Sequence, residues 1–122
     1  MVKKIVIYDD DIMSNVEIES EIIRFSESKK VKIEHQFISL KGDKGPIIDA
    51  DLVFFSYDFC KNDIDNFIEE VRRGSPGAKI VVLGGSELTD GVLFDLAQRG
   101  IKQLESKPLN QENITALLEG VF

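Results

Sequence analysis

The residues able to do chemistry stand in four places, each just after a run of apolar residues. Ile5-Val-Ile-Tyr8 is followed by Asp9, Asp10 and Asp11; Leu52-Val-Phe-Phe55 by Ser56 and, two residues on, Asp58. Ile80-Val-Val-Leu83 is followed by Gly84, Gly85 and Ser86, and the weaker run Ile101-Lys-Gln-Leu104 by Lys107 and Pro108. Three adjacent carboxylates repel one another, so something must offset them. A divalent cation such as Mg²⁺, taking one or two of them, would do so. A lysine from a neighbouring strand end is another solution, and a role for the acids as the cap of a following helix is a third. Gly84-Gly-Ser86 at a helix start could offer amides to an anion or nucleotide phosphate, although the nearby acids oppose an anion unless a cation intervenes. Ser86 also serves as a helix N-cap before Glu87-Leu88.

Strand and helix periods alternate around these positions. The three continuous apolar runs belong in the middle of a sheet. Val31, Ile33 and Phe37 alternate with Lys32, Glu34 and Gln36, as in a strand wet on one face, and the run ending at Leu104 is also partly polar. Strands one, three and four are therefore central, and two and five outside. His35 is placed on the polar phase of strand two, as a surface or rim residue.

Helical periodicity appears in Ile12, Val16, Ile22 and Ile23 and in Ile64, Phe67, Ile68 and Val71. It returns in Leu88, Val92, Leu93, Leu96 and Ala97, closed by Gly100, and in Ile114, Leu117, Leu118 and Val121, capped by Asn110. The alternation predicts one α/β domain over residues 1–122, an open parallel sheet with helices on both faces. The crossover from Phe37 to Asp51 is the exception. Its Gly- and Pro-rich stretch Ser39 to Pro46 predicts a loop, or a second helix reduced to a turn near Ile47 to Ala50.

Composition narrows the function classes. With 15 Lys and Arg against 22 Asp and Glu, the net charge is −7. No basic stripe is present, which argues against nucleic-acid binding by this domain. No apolar run approaches a bilayer span and the start has no cleavage signature, so a cytoplasmic protein without membrane attachment is expected. The single cysteine, Cys60, allows no intrachain disulfide and reads as a loop or packing residue.

Taken together, the acid pair Asp9-Asp10 after its strand, the stretch Asp51-Leu-Val-Phe-Phe-Ser56 and the segment Ala97 to Pro108 resemble a receiver domain of two-component response regulators. The likeness extends over essentially the whole chain. It implies a flavodoxin-like (CheY-like), doubly wound five-stranded sheet in the order 2-1-3-4-5. It also implies that Asp9 and Asp10 match the acids that hold Mg²⁺, and that Lys107-Pro108 matches the family's lysine and the proline after it, making that bond a cis candidate.

Three departures accompany these matches. The phosphoacceptor position falls on Ser56, the switch Thr/Ser on Gly84 and the switch aromatic on Leu104. An alcohol does not replace an ionised carboxylate as acceptor at neutral pH. The resemblance therefore implies an atypical, non-enzymatic receiver (a pseudo-receiver) that needs no cofactor, binds Mg²⁺ weakly at most, and acts by protein-protein interaction. The family's face of fourth helix, fifth strand and fifth helix would meet a protein partner or a second copy, through Asp90, Phe94, Asp95, Gln98, Lys102, Gln103 and Glu105. The alternatives are a still-regulated receiver with Asp58 as acceptor, or an anion- or nucleotide-binding regulator using Gly84 to Ser86. Asp9-x-Asp11 bears a fainter resemblance to haloacid-dehalogenase-like phosphatases, with Met13 where that motif usually has Thr.

Overall fold

The computed structural model describes residues 2–38, 49–101, 103–107 and 109–121. Its strands are β1 (Val2–Tyr8), β2 (Lys32–Ile38), β3 (Leu52–Ser56), β4 (Lys79–Gly84) and β5 (Gln103–Ser106). All four pairings are parallel and the order is β2-β1-β3-β4-β5. The five residues of β3 are all buried, as a fully apolar central strand requires, whereas β2 alternates between exposed and half-buried positions. Register aligns the carboxyl ends: Tyr8 lies beside Phe55, Ser56 beside Leu83 and Gly84 beside Ser106. The chemistry-bearing residues are thereby delivered to one rim of the sheet.

Alternation along the strands splits the core between the two faces. Ile5, Ile7, Leu52, Phe54, Val81 and Leu83 pack against α1 (Ile12–Lys29) and α5 (Gln111–Val121) through Ile18, Ile22, Phe25, Ile114, Leu117 and Leu118. Val6, Tyr8, Val53, Phe55 and Val82 pack on the other face. They meet the one-turn helix α2 (Tyr57–Cys60), α3 (Ile64–Gly74) and α4 (Asp90–Gln98) through Phe59, Cys60, Phe67, Val71 and Leu96. Tyr8 and Phe67 lie with ring centroids 5.0 Å apart, a tilted aromatic contact that joins β1 to α3. Among the described residues no helix is long and apolar enough to cross a membrane.

Local signals are mostly where the sequence places them. Asn110 Oδ1 accepts from the Asn113 amide at 2.8 Å and caps α5. Gly100 has φ +83° and closes α4, while the Ile101 amide donates to Leu96 and that of Gly100 to Ala97, the paired bonds of a Schellman turn.

Three expectations are corrected. The buried face of α1 is Ile18, Ile22 and Phe25; Ile12, Val16 and Ile23 are exposed, because the stripe drawn through them is rotated from the residues that meet the sheet. The helix read through Leu88 to Ala97 starts at Asp90, not Leu88: Thr89 Oγ1 accepts from the Val92 amide, so Thr89 is the N-cap and Ser86 lies in the preceding turn. His35 shares the half-buried phase of Ile33 and Phe37, 2.8 Å from Glu19 of α1. Asp58 itself lies beyond the end of β3, in the helical turn that starts at Tyr57. The loop or reduced helix expected near residues 39–48, Lys102, and Pro108 with its peptide isomer lie outside the described residues.

Phe54 is fully buried in the layer under α1 and α5. Phe54→Ala should cost about 3–5 kcal/mol in urea unfolding, the usual cost of removing a buried aromatic.

Candidate functional site

The rim is built around a lysine. Lys107 follows β5, and its amide donates to the carbonyl of Gly84 at 2.9 Å, which fixes where the side chain starts. From there its ammonium reaches back over β3 to β1. Nζ lies 2.6 Å from Asp9 Oδ2 and 3.5 Å from Asp11 Oδ2, and donates to Ser56 Oγ at 3.2 Å. An ammonium has three donors. The two carboxylates and the hydroxyl are its three neighbours.

Asp9 is 1% exposed. Its Oδ1 accepts from the Asp11 amide at 3.0 Å, and Asn15 Nδ2 donates to its carbonyl at the same distance. No aligned hydrogen bond falls on Oδ2, so its 2.6 Å contact with Lys107 is held by charge. Asp11 is the N-cap of α1, with Oδ1 accepting from the Ser14 amide at 3.2 Å. That hydrogen bond, ahead of the nearby charge of Lys107, holds the Asp11 carboxyl below its ordinary value. Asp10 is exposed. The acid run is thus divided: Asp9 faces inward, Asp11 caps the helix and meets the lysine, and Asp10 points to neither task.

These donors do not fit a divalent cation. Mg²⁺ wants hard oxygens around one point. Here Asp9 has one oxygen on an amide and the other on an ammonium, Asp10 is exposed, and β3 supplies a neutral hydroxyl. Among the described residues no three His, Cys, Asp or Glu side chains converge to hold a metal.

Gly84 is the buried last residue of β4. A Cβ built there would stand 2.7 Å from Leu88 Cγ and 2.8 Å from its Cδ1, closer than real contacts allow. Leu88 packs back toward the α3 and α4 core and fills the volume that a side chain at Gly84 would need. Leu104, in β5, is half-buried against the same core. Asp58 sits in α2 with its side chain 78% exposed and Lys61 at 3.4 Å.

Sequence reasoning missed two residues here. Asn15, which ties down Asp9, lies on the inner edge of the first helical turns and carries no motif. Glu87 Oε1 accepts from the Gly85 amide at 3.0 Å, within the loop read as open to an anion; a glutamate two residues past a Gly-Gly pair was the available signal.

No protein-family model and no curated protein matches the chain. Solved structures do. A response regulator receiver domain protein (CheY-like) from Methanospirillum hungatei JF-1 aligns with TM-score 0.71 at 16% identity, over 98% of this chain and 93% of that one. The chemotaxis response regulator CheY4 of Vibrio cholerae aligns over all of both chains with TM-score 0.69 at 17% identity. The chain has the CheY-like, flavodoxin-type fold. An uncharacterized protein from Neptuniibacter caesariensis is similar too, with TM-score 0.70 and 21% identity over 97% of this chain and 85% of that one. On the CheY-like fold the strand-end positions named in the sequence come together at one rim, with Ser56 at the end of the central strand and Lys107 across from it.

Two measurements check this geometry. Gly84→Thr, which would place a hydroxyl at the rim, should destabilise the protein by about 1–3 kcal/mol in urea unfolding, because Leu88 must move. Asp11→Asn should remove part of the acid sensitivity of folding. A carboxyl held low in the folded state stabilises it above the unfolded pKa of about 3.9. That contribution is lost as the pH falls through the lower folded value, so the wild type should lose more stability on acidification than the variant.

Proposed function

We propose that this chain is a receiver-like signalling module that works by protein-protein interaction without phosphorylation. The observation that carries the reading is the occupancy of the rim by Lys107. Its ammonium is already bonded or paired to Asp9, Asp11 and Ser56. A carboxylate at Ser56 could attack a phosphodonor; a neutral hydroxyl that is 2% exposed and accepts from an ammonium is a poor nucleophile. The filled space above Gly84 supports the same reading, because no hydroxyl can swing there to sense a phosphoryl group.

What remains usable is the surface. Phe94 on α4 is 67% exposed, flanked by exposed Asp90, Asp95 and Gln98, and the adjoining β5 presents half-buried Gln103 and Glu105. An exposed aromatic within a polar border is the pattern of an anchor residue. A protein partner of this α4-β5-α5 face, or a second copy of the chain, is the occupant we propose; nucleic acid and membrane are disfavoured by the excess of acid.

The test is intact mass after incubation with Mg²⁺ and acetyl phosphate, for the wild type and for Ser56→Asp. Wild type should stay unmodified while the variant gains one phosphoryl group. A labile adduct on the wild type, mapped to Asp58 or to the Asp9 to Asp11 run, would overturn the proposal. Phe94→Ala should leave folding stability within about 0.5 kcal/mol of wild type in urea unfolding, as for an exposed side chain away from the core.

A further inference from the structure

The turn between β4 and α4 carries an internal contact that the proposed function does not use. Gly84 and Gly85 end the strand, and the chain then turns through Ser86 and Glu87 before Thr89 caps α4. The Gly85 amide follows directly on the last residue of β4, at the rim end of the sheet, where a free donor would serve an arriving oxyanion. It is already engaged, by Glu87 Oε1 at 3.0 Å. The same oxygen would lie 3.0 Å from a Cβ on Gly84, and Glu87 Oε2 3.5 Å from one on Gly85. The carboxylate therefore lies across the glycine pair, with Leu88 beside it.

We infer that Glu87 is a built-in ligand of the rim: its carboxylate occupies the Gly85 amide in place of an outside oxyanion and holds the β4-α4 turn, and Leu88 with it, in one form. The charges around it agree with that placement. The amides of Gly85 and of Glu87 itself hold the Glu87 carboxyl below its ordinary value, the Asp58 charge opposes this, and the positive charge of Lys107 helps. An external phosphate would have to displace a carboxylate tethered two residues away, at high effective concentration. It would also enter beside Asp9, Asp11 and Asp58. Because the turn leads straight into the helix that presents Phe94, the contact fixes the start of the proposed docking face. The inference rests on the reading of the rim as phosphate-independent, and extends it by naming what stands in the phosphate's stead.

Amide hydrogen exchange and ¹⁵N NMR on the full chain test it, in wild type, Glu87→Gln and Glu87→Ala. The Gly85 amide should exchange roughly tenfold faster in Glu87→Ala, as for loss of a hydrogen bond to a charged acceptor. Glu87→Gln, which keeps an oxygen and loses the charge, should fall between. Exchange at Val81 to Leu83 in the core should be unchanged in both, which separates a local release from general unfolding. In the wild type, inorganic phosphate added to tens of millimolar (~50 mM) should leave the Gly85 resonance in place, since the tethered carboxylate outcompetes it. Equal Gly85 exchange in wild type and Glu87→Ala, or a saturable shift of wild-type Gly85 with phosphate, would overturn the inference. Neither result requires a covalent adduct, so failure here is distinguishable from failure of the proposed function, which is read by mass.

Discussion

The contact between the Lys107 ammonium and the Asp9 carboxylate is the constraint on which the rest of the rim depends. Asp9 is almost fully buried at the end of β1, and a carboxylate taken out of water is costly unless a charge or several hydrogen bonds offset the loss. Lys107 provides that charge from 2.6 Å. To do so it crosses the end of β3, where it donates to Ser56 Oγ at 3.2 Å. Ser56 is thus the acceptor for the third donor of a lysine already paired with two acids. The sheet order makes the crossing geometrically short, since β3 and β4 separate β1 from β5 and their carboxyl ends are level in register.

The ends of the two central strands are filled in different ways. At β3 the rim presents a hydroxyl that accepts from Lys107. At β4 it presents no side chain, and Leu88 and Glu87 take the space over the glycines. The outcome is a rim in which Asp9, Asp11, Ser56 and the Gly85 amide have partners within the chain, on a fold that elsewhere presents an exposed aromatic at α4.

Much of this was legible in the sequence because burial and periodicity act locally. Continuous apolar runs at Ile5-Tyr8, Leu52-Phe55 and Ile80-Leu83 have no stable place except between two helical layers, so the parallel sheet and its three central strands could be read directly, while the full strand order came from the family resemblance. Asn110 and Gly100 act through backbone geometry within a few residues, and both did as expected. What was not legible depended on rotation or distance. The α1 stripe through Ile12, Val16 and Ile23 was misplaced because short apolar repeats fit two helical phases, and only the packing of Ile18, Ile22 and Phe25 on the sheet decides between them. The choice of Asp11 over Asp10 as the second partner of Lys107 follows from the helix start: the N-cap side chain turns toward its own amides and so toward the lysine, while its neighbour points to water.

The most direct test of the account is a double-mutant cycle between Asp9 and Lys107, with Asp9→Asn, Lys107→Met and the double variant unfolded in urea with and without Mg²⁺. Lys107→Met alone should cost about 3–5 kcal/mol, because it leaves a buried carboxylate without its partner. The double variant should recover part of that loss, giving a coupling energy of at least about 1 kcal/mol that millimolar Mg²⁺ (~10 mM) does not change. A coupling energy near zero, or one that Mg²⁺ abolishes by taking over Asp9, would contradict the claim that Lys107 is what offsets the buried Asp9 charge.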